Sequence, residues 1–226
     1  TTRQLHSNSN NAMIITPADP PQPRPGMLGQ LDMFIGPSAT TAEIILQFGA
    51  SFLIGFGCWF VYHQAQPPSQ ISWNYRDTIV LFLGIDMIGG VVTNATSSAK
   101  RWYHRSSQTK WDHLTFVMIH ALQIFVVAYC FASTDWKVYF GVVYGGLLVS
   151  SAILVYVVPL YLQRPTALAL VAGTIPLSLS KHIVTPGLEW FLPLLFLKLL
   201  VSHLTYETSF QPYDKLGEHD PNNKQS

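Results

Sequence analysis

The chain has 226 residues and only 25 charged side chains, 11% of the total, where soluble domains carry about 25%. Its apolar fraction of 49% is ordinary, so the distribution decides. Six apolar windows, 43–62, 78–98, 114–133, 138–162, 166–180 and 188–204, take up 118 residues and hold four charges, Glu43, Asp86, Glu189 and Lys198, while the other 108 residues hold 21. A membrane-spanning helix needs about 20 predominantly apolar residues, and four or five windows meet that length. This excludes a soluble enzyme, a nucleic-acid-binding protein and a disulfide scaffold, and a net charge of +1 supplies no global field to attract polyanions. The expected fold class is an all-α polytopic integral membrane protein, a compact bundle of six transmembrane helices, or five if one window is re-entrant.

Residues 1–42 are polar and carry Pro17, Pro20, Pro21, Pro23, Pro25 and Pro37. Such a stretch buries too little apolar surface to offset its ordering entropy, so an extended or disordered tail is expected. No apolar core of a secretory signal occurs in the first 26 residues. Met27–Ile35 is a short amphipathic segment, readable as a packed turn or as a piece lying on a membrane surface.

The transmembrane helical domain is expected over 43–205. Thr40 and Glu43 have capping-box spacing and open the first span, which accounts for Glu43 without a functional role. Ser133, Thr134 and Asp135 offer caps for the fourth span, Pro165 suits the first turn of the fifth, and Thr185-Pro186 opens the sixth. Pro159, Pro176 and Pro193 are expected to kink the last three helices. The fifth window is the weak one, since its 15 residues rise only about 22 Å against a hydrocarbon core of about 30 Å. It either extends through a snorkelling Lys181 or turns back. Gly141-x-x-x-Gly145 and Ala169-x-x-x-Gly173 permit close helix contact, assigned first to packing within the bundle. Residues 206–226 form a second polar tail.

Lys and Arg counts set the orientation. With six spans, nine of them (Arg3, Arg24, Lys100, Arg101, Arg105, Lys110, Arg164, Lys215 and Lys224) share one side, against three (Arg76, Lys137 and Lys181) on the other. Both termini are therefore expected on the cytoplasmic face. Trp and Tyr gather at the predicted boundaries, as an aromatic belt should. Cys58 and Cys130, both inside apolar windows, are expected to behave as small buried hydrophobes.

Asp86 is the most informative residue. A carboxylate near the centre of a span costs about 3 kcal/mol or more, which makes it a functional candidate by default. Its helical face continues through Gly90, Thr93, Asn94, Ser97 and Arg101, and Gly89-Gly90 permits close approach by another helix or a ligand. The opposing explanation is an Asp that merely fixes helix packing. The third span adds His113, His120 and Gln123, the sixth Lys198 and His203. Asp86, His120 and Lys198 fall at similar depth, so a polar site shared by spans two, three and six is geometrically allowed. Asn94 or Lys198 would orient a substrate there. The run Lys100-Arg-Trp-Tyr-His-Arg105 reads as a basic interfacial anchor, or as a lipid-headgroup site in which Arg101 and Arg105 grip a phosphate while Trp102 and Tyr103 pack on the glycerol region. No metal-ligand spacing, phosphate loop or nucleophile elbow occurs, and no specific signal identifies a cofactor. The Asn94-Ala-Thr96 glycosylation pattern lies at the inner membrane edge and is expected to be unused.

In size and span count the chain resembles the small polytopic cyclases and isomerases that act on terpenoids or sterols, a likeness of architecture that carries over no motif. Three functions stay open. The first is a non-catalytic subunit of a membrane assembly, its polar residues buried against partner subunits. The second is a membrane-embedded acid–base enzyme acting on a lipid-soluble substrate through Asp86, His120 and Lys198. A small transporter comes third, disfavoured by the lack of an internal repeat.

Overall fold

The structure is a computed structural model that describes residues 20–70, 72–179 and 185–207. Among them every regular element is helical. In chain order these are α1 (Met27–Ile35), α2 (Thr41–Gln64), α3 (Tyr75–Ala95), α4 (Ser97–Tyr103), α5 (Lys110–Phe131), α6 (Lys137–Val157), α7 (Leu160–Ser178) and α8 (Phe191–Phe196), which runs on as a π-helix, Leu197–Leu204. Four of them, α2, α3, α5 and α6, are long and apolar enough to cross a membrane. Residues 1–19, a little under half of the predicted N-terminal tail, residues 208–226, nearly all of the C-terminal one, and Lys181 lie outside the described residues.

The chain folds as antiparallel hairpins, α2 with α3 and α5 with α6, while α7 turns back into α8. The final helix is the centre. Phe191, Leu192, Leu195, Phe196, Leu199 and Leu200 are each no more than 1% exposed, and it packs against α3, α6 and α7. A helix apolar on every side belongs in an interior, and this one is surrounded by the others.

The α2–α3 hairpin is fixed at three levels by identifiable chemistry. At one end Thr40 and Glu43 form the expected capping box. Glu43 does more than that: its second oxygen accepts the Ser98 backbone N–H at 3.0 Å, so one carboxylate caps α2 and satisfies an orphan donor at the start of α4. At the other end Asn74 and Asp77 make a second capping box, and Asp77 also accepts from the Trp59 indole at 3.1 Å and pairs with His63 Nδ1 at 2.8 Å. In between the backbones nearly touch. A Cβ on Gly55 would stand 2.7 Å from the Ile85 nitrogen, and one on Gly84 would stand 2.7 Å from the Gly55 carbonyl oxygen.

Several expectations are corrected. Part of the N-terminal tail is ordered: α1 docks on α4 through Tyr103, whose hydroxyl donates to the carbonyls of Met33 and Phe34, and through Ser98, which donates to the Ile35 carbonyl. The second window is broken at Thr96, which is extended and caps α4, so Ser97 and Arg101 do not continue the Asp86 face. The fourth window ends early. Val158 and Pro159 are extended, because the residue before a proline resists helical geometry, and the turn lies there rather than at 163–165. Pro165 consequently sits inside α7. The gain is length: α7 has 19 residues, about 28 Å of rise. Pro159 and Pro193 occupy helix ends, where a missing N–H costs nothing, and Pro176 falls in the last turn of α7. Ser133 caps nothing with its side chain, and a 3₁₀ turn, Thr134–Trp136, precedes α6 instead. Thr185 does not open a helix; its hydroxyl donates to the Phe131 carbonyl and ties the α8 approach to the end of α5. Gly141 and Gly145 do face inward, against Phe125, but Ala169 and Gly173 point out of the bundle.

The α2–α3 contact predicts that Gly55→Ala and Gly84→Ala each destabilise the protein by about 1–3 kcal/mol through overpacking. Gly57→Ala, where an added Cβ meets nothing within 4 Å, should leave the thermal unfolding midpoint of the detergent-solubilised chain unchanged. Equal shifts for Gly84→Ala and Gly57→Ala would contradict the close contact.

Candidate functional site

Halfway along α3, Asp86 receives two donors on a single oxygen. Lys198 Nζ lies 2.7 Å from Oδ2, and Gln123 Nε2, from α5, donates to the same atom at 2.7 Å. Two N–H groups converging on one oxygen is the arrangement of a carboxylate held by an ammonium and an amide. The partners differ sharply in environment: the Lys198 side chain is 2% exposed and that of Asp86 is 46% exposed. Lys198 thus comes from the bundle centre, and Asp86 faces outward.

Gly90 makes the pairing possible. A Cβ there would stand 2.2 Å from the Lys198 Cε, so the lysine stem crosses α3 over the gap left by a missing side chain, one turn from Asp86. Gly89, on the neighbouring face, lies against Ser51 of α2. The backbone of the last helix matters as well. Its i→i+5 ladder, rare and common at functional sites, stacks residues five apart, so Lys198 and His203 share one face.

The carboxylate forms the end of a recess of about 290 Å³ between α3 and α5, lined by Thr78, Ile79, Phe82, Leu83, Asp86 and Gln123. Phe82 is 67% exposed, so the recess opens on the outer surface of the bundle. Next to it, Gln123 Oε1 is buried with no hydrogen-bond partner.

Of the residues expected to carry chemistry, Asp86 and Lys198 are brought into contact. His120 is close enough to interact electrostatically with both, yet its Nδ1 bonds the Phe116 carbonyl at 2.8 Å and its ring lies on Phe116, 4.2 Å between centroids. Gln123 takes the place expected for His120. Asn94 is buried two turns from Asp86 and does not line the recess. In the basic run, Arg105 donates to the Trp102 carbonyl at 2.6 Å and its guanidinium stacks 3.9 Å over the Trp102 ring. Tyr103 is spent on α1 and on an edge contact with His203, so it does not join a headgroup site with Trp102. Arg101 stays on the same short helix, α4.

A second cluster escaped sequence reading because its members lie on three separated segments. His104 Nε2 donates to the His203 carbonyl at 2.9 Å, His113 Nδ1 and His203 Nε2 share a hydrogen bond of 3.1 Å, and the His104 and His113 rings stack at 4.9 Å. Phe116 separates this group from His120 by stacking on His203 at 4.1 Å. Lys100 is buried beside it and donates to the Thr205 carbonyl at 2.7 Å, with burial pushing its pKa down to about 8. Burial, with the nearby positive Lys100 and His113, holds His104 down at about 3. The five-residue spacing of Lys198 and His203 was the available signal, but it reads as a shared face only on a π-helix. Among the described residues, no three His, Cys, Asp or Glu side chains are arranged to hold a metal ion.

Compared with protein-family models, with curated proteins and with solved structures, the chain matches none.

Two predictions follow from the geometry of the site. Asp86→Leu leaves the buried Lys198 without its counter-ion and should destabilise the protein by about 3 kcal/mol or more, whereas Asp86→Leu combined with Lys198→Met should recover most of the loss; equal losses in denaturant titrations would refute the pairing. For His104, a folded pKa of about 3 against an ordinary 6.5 means that the unfolded chain binds the proton first. Its contribution to stability is therefore complete above about 6.5 and declines as pH falls toward 3. His113, His203, Lys100 and Tyr206 surround it, so the test is a difference. His104→Gln, which keeps a donor for the His203 carbonyl, should show a smaller fall in unfolding midpoint between pH 7 and 5 than the native chain.

Proposed function

We propose that the protein is a multi-pass integral membrane protein whose α3–α5 recess receives the polar end of a lipid-soluble small molecule at Asp86. The membrane reading is supported by four helices of spanning length and hydropathy and by an outer surface crowded with exposed Phe, Leu, Ile and Val. Counting α7 and the α8–π helix as the fifth and sixth crossings returns the chain to its starting side. Lys100, Arg101, Arg105, Lys110 and Arg164 then share the cytoplasmic face, opposite Arg76 and Lys137.

The observation that carries the site is the half-exposed carboxylate at the end of an outward-opening recess. Its counter-ion is fixed behind it in the core, so the charge is neutralised without its outer side being covered. In hydrocarbon, a polar group left open calls for a partner, and a recess lined by Ile79, Phe82 and Leu83 calls for an apolar body. Acid–base chemistry extends the same reading: Asp86 accepts a proton from the bound molecule, Lys198 keeps the carboxylate in position, and His120 is the nearest further titratable group.

One observation favours membership of a membrane assembly as a non-catalytic subunit. Ala169, Ala172 and Gly173 form an exposed small-residue face on α7, the surface on which transmembrane helices approach closely.

Native mass spectrometry of the protein, extracted gently from its own membrane, tests the proposal. The expected spectrum shows the 25.2 kDa chain with a small-molecule adduct that Ile79→Trp, which fills the recess without touching the Asp86–Lys198 pair, loses while the unfolding midpoint holds. A bare chain would overturn the binding reading, and a mass dominated by other chains would favour the assembly.

A further inference from the structure

The polar groups around the recess are nearly all of one kind, and this restricts what fits. Asp86 presents a carboxylate whose two donors approach from behind, on Oδ2. The ammonium itself is sealed, with the Lys198 side chain only 2% exposed, and the Gln123 amide nitrogen is turned to Asp86. What remains toward the recess is acceptor, the open side of the Asp86 carboxylate, whose side chain is 46% exposed, while the Gln123 Oε1 is buried. The one lining side chain with a proton to give besides these is Thr78, whose hydroxyl accepts the Trp73 indole at 3.1 Å and keeps its own proton, but it lies two turns from Asp86, about 12 Å along the helix.

We infer that the recess selects a neutral lipid alcohol, a hydroxyl group on a long apolar chain, with the hydroxyl donating to Asp86. The inference rests on the recess being a ligand site, as proposed above, and adds the chemistry of the ligand. A fatty acid or phosphate headgroup would set an anion against a carboxylate. A ketone or quinone would bring acceptors to acceptors, and leaving polar groups unpaired is how a buried site rejects an analogue. A long-chain ammonium meets an acid whose charge is already balanced by Lys198, so it gives up its own hydration for no net charge pairing. A hydroxyl is the group that adds a donor without adding a charge. The volume, about 290 Å³, houses the head and the first carbons, and the rest of the chain runs along the exposed apolar side chains of Phe82, Ile119 and Leu122.

Photolabelling of the full chain in phosphatidylcholine vesicles tests this. The four probes are hexadecanol, its methyl ether, hexadecanoic acid and hexadecylamine, each carrying a diazirine near the polar end, with labelled peptides located by mass spectrometry. The expected result is labelling of 78–86 and the region of Gln123 by the alcohol about tenfold above the ether and the acid, in keeping with one hydrogen bond to a charged group. It should also exceed labelling by the amine, and fall to the ether's level in Ile79→Trp, which fills the recess without touching the ion pair. Equal labelling by alcohol and ether, or preference for the acid or the amine, overturns the alcohol while leaving the recess as a ligand site. No labelling of these segments by any probe overturns the site itself.

Discussion

A lysine in the middle of the molecule's most enclosed helix governs the arrangement of everything around it. The α8–π helix is surrounded by protein, and an ammonium there is tolerated only if a carboxylate reaches it. Within the apolar windows the acids are Glu43, Asp86 and Glu189. Glu43 is spent on two helix starts, and Glu189 accepts the Gly187 N–H at 2.9 Å before α8 begins. Asp86 remains. Pairing with it sets both the height and the rotation of the last helix against α3, and it requires an opening in α3 where the lysine stem passes, which Gly90 provides. The π-helical backbone then carries the same face on to His203. One electrostatic requirement accounts for the glycine and for the placement of the last helix against α3.

Asp86 can meet Lys198 only if α3 is held in place, and the groups that hold it are also acids. Asp77 binds Asn74, Trp59 and His63 at one end of the hairpin, and Glu43 joins α2 to α4 at the other. Between them Gly55 and Gly84 bring α2 and α3 to backbone contact. Three carboxylates therefore sit along the α2–α3 hairpin and its continuation into α4 with distinct roles. Those at the ends satisfy backbone donors at helix starts, where an acid is cheap because it faces orphan N–H groups. The middle one has no helix end to serve and pairs with a side chain from far along the sequence.

What was legible in the sequence follows from the range of the interactions. The Thr40–Glu43 capping box is local and was readable, as were the apolar windows that became α2, α3, α5 and α6. Asp86 announced itself by being a charge where a charge is costly, and depth counting put Lys198 at its level. Depth alone could not choose between His120 and Gln123, because they lie three residues apart on one face of α5 and differ by only about 4.5 Å of rise. The break at Thr96 and the turn at Val158–Pro159 were hidden by apolar continuity, since a window average does not register one extended residue. Met27–Ile35 was readable as a packed turn, but its partner α4 was not, for another reason. A segment poor in buried surface looks like a tail until the carbonyls of Met33, Phe34 and Ile35 find donors on α4.

The site lies where the bundle is least tightly joined. α2 with α3 and α5 with α6 are closely packed hairpins, but α3 and α5 have little direct packing across the recess and meet there through the Gln123–Asp86 hydrogen bond. Behind that seam the last helix fills the gap, so the two hairpins are joined through α8 and its π-helical continuation. The Lys198 pairing is supplied from that last helix and does not depend on the α3–α5 contact. The half-exposed Asp86 carboxylate is thus placed where the two hairpins have least direct packing. This is why the outward side of Asp86, and not its bond to Lys198, is where a ligand would act.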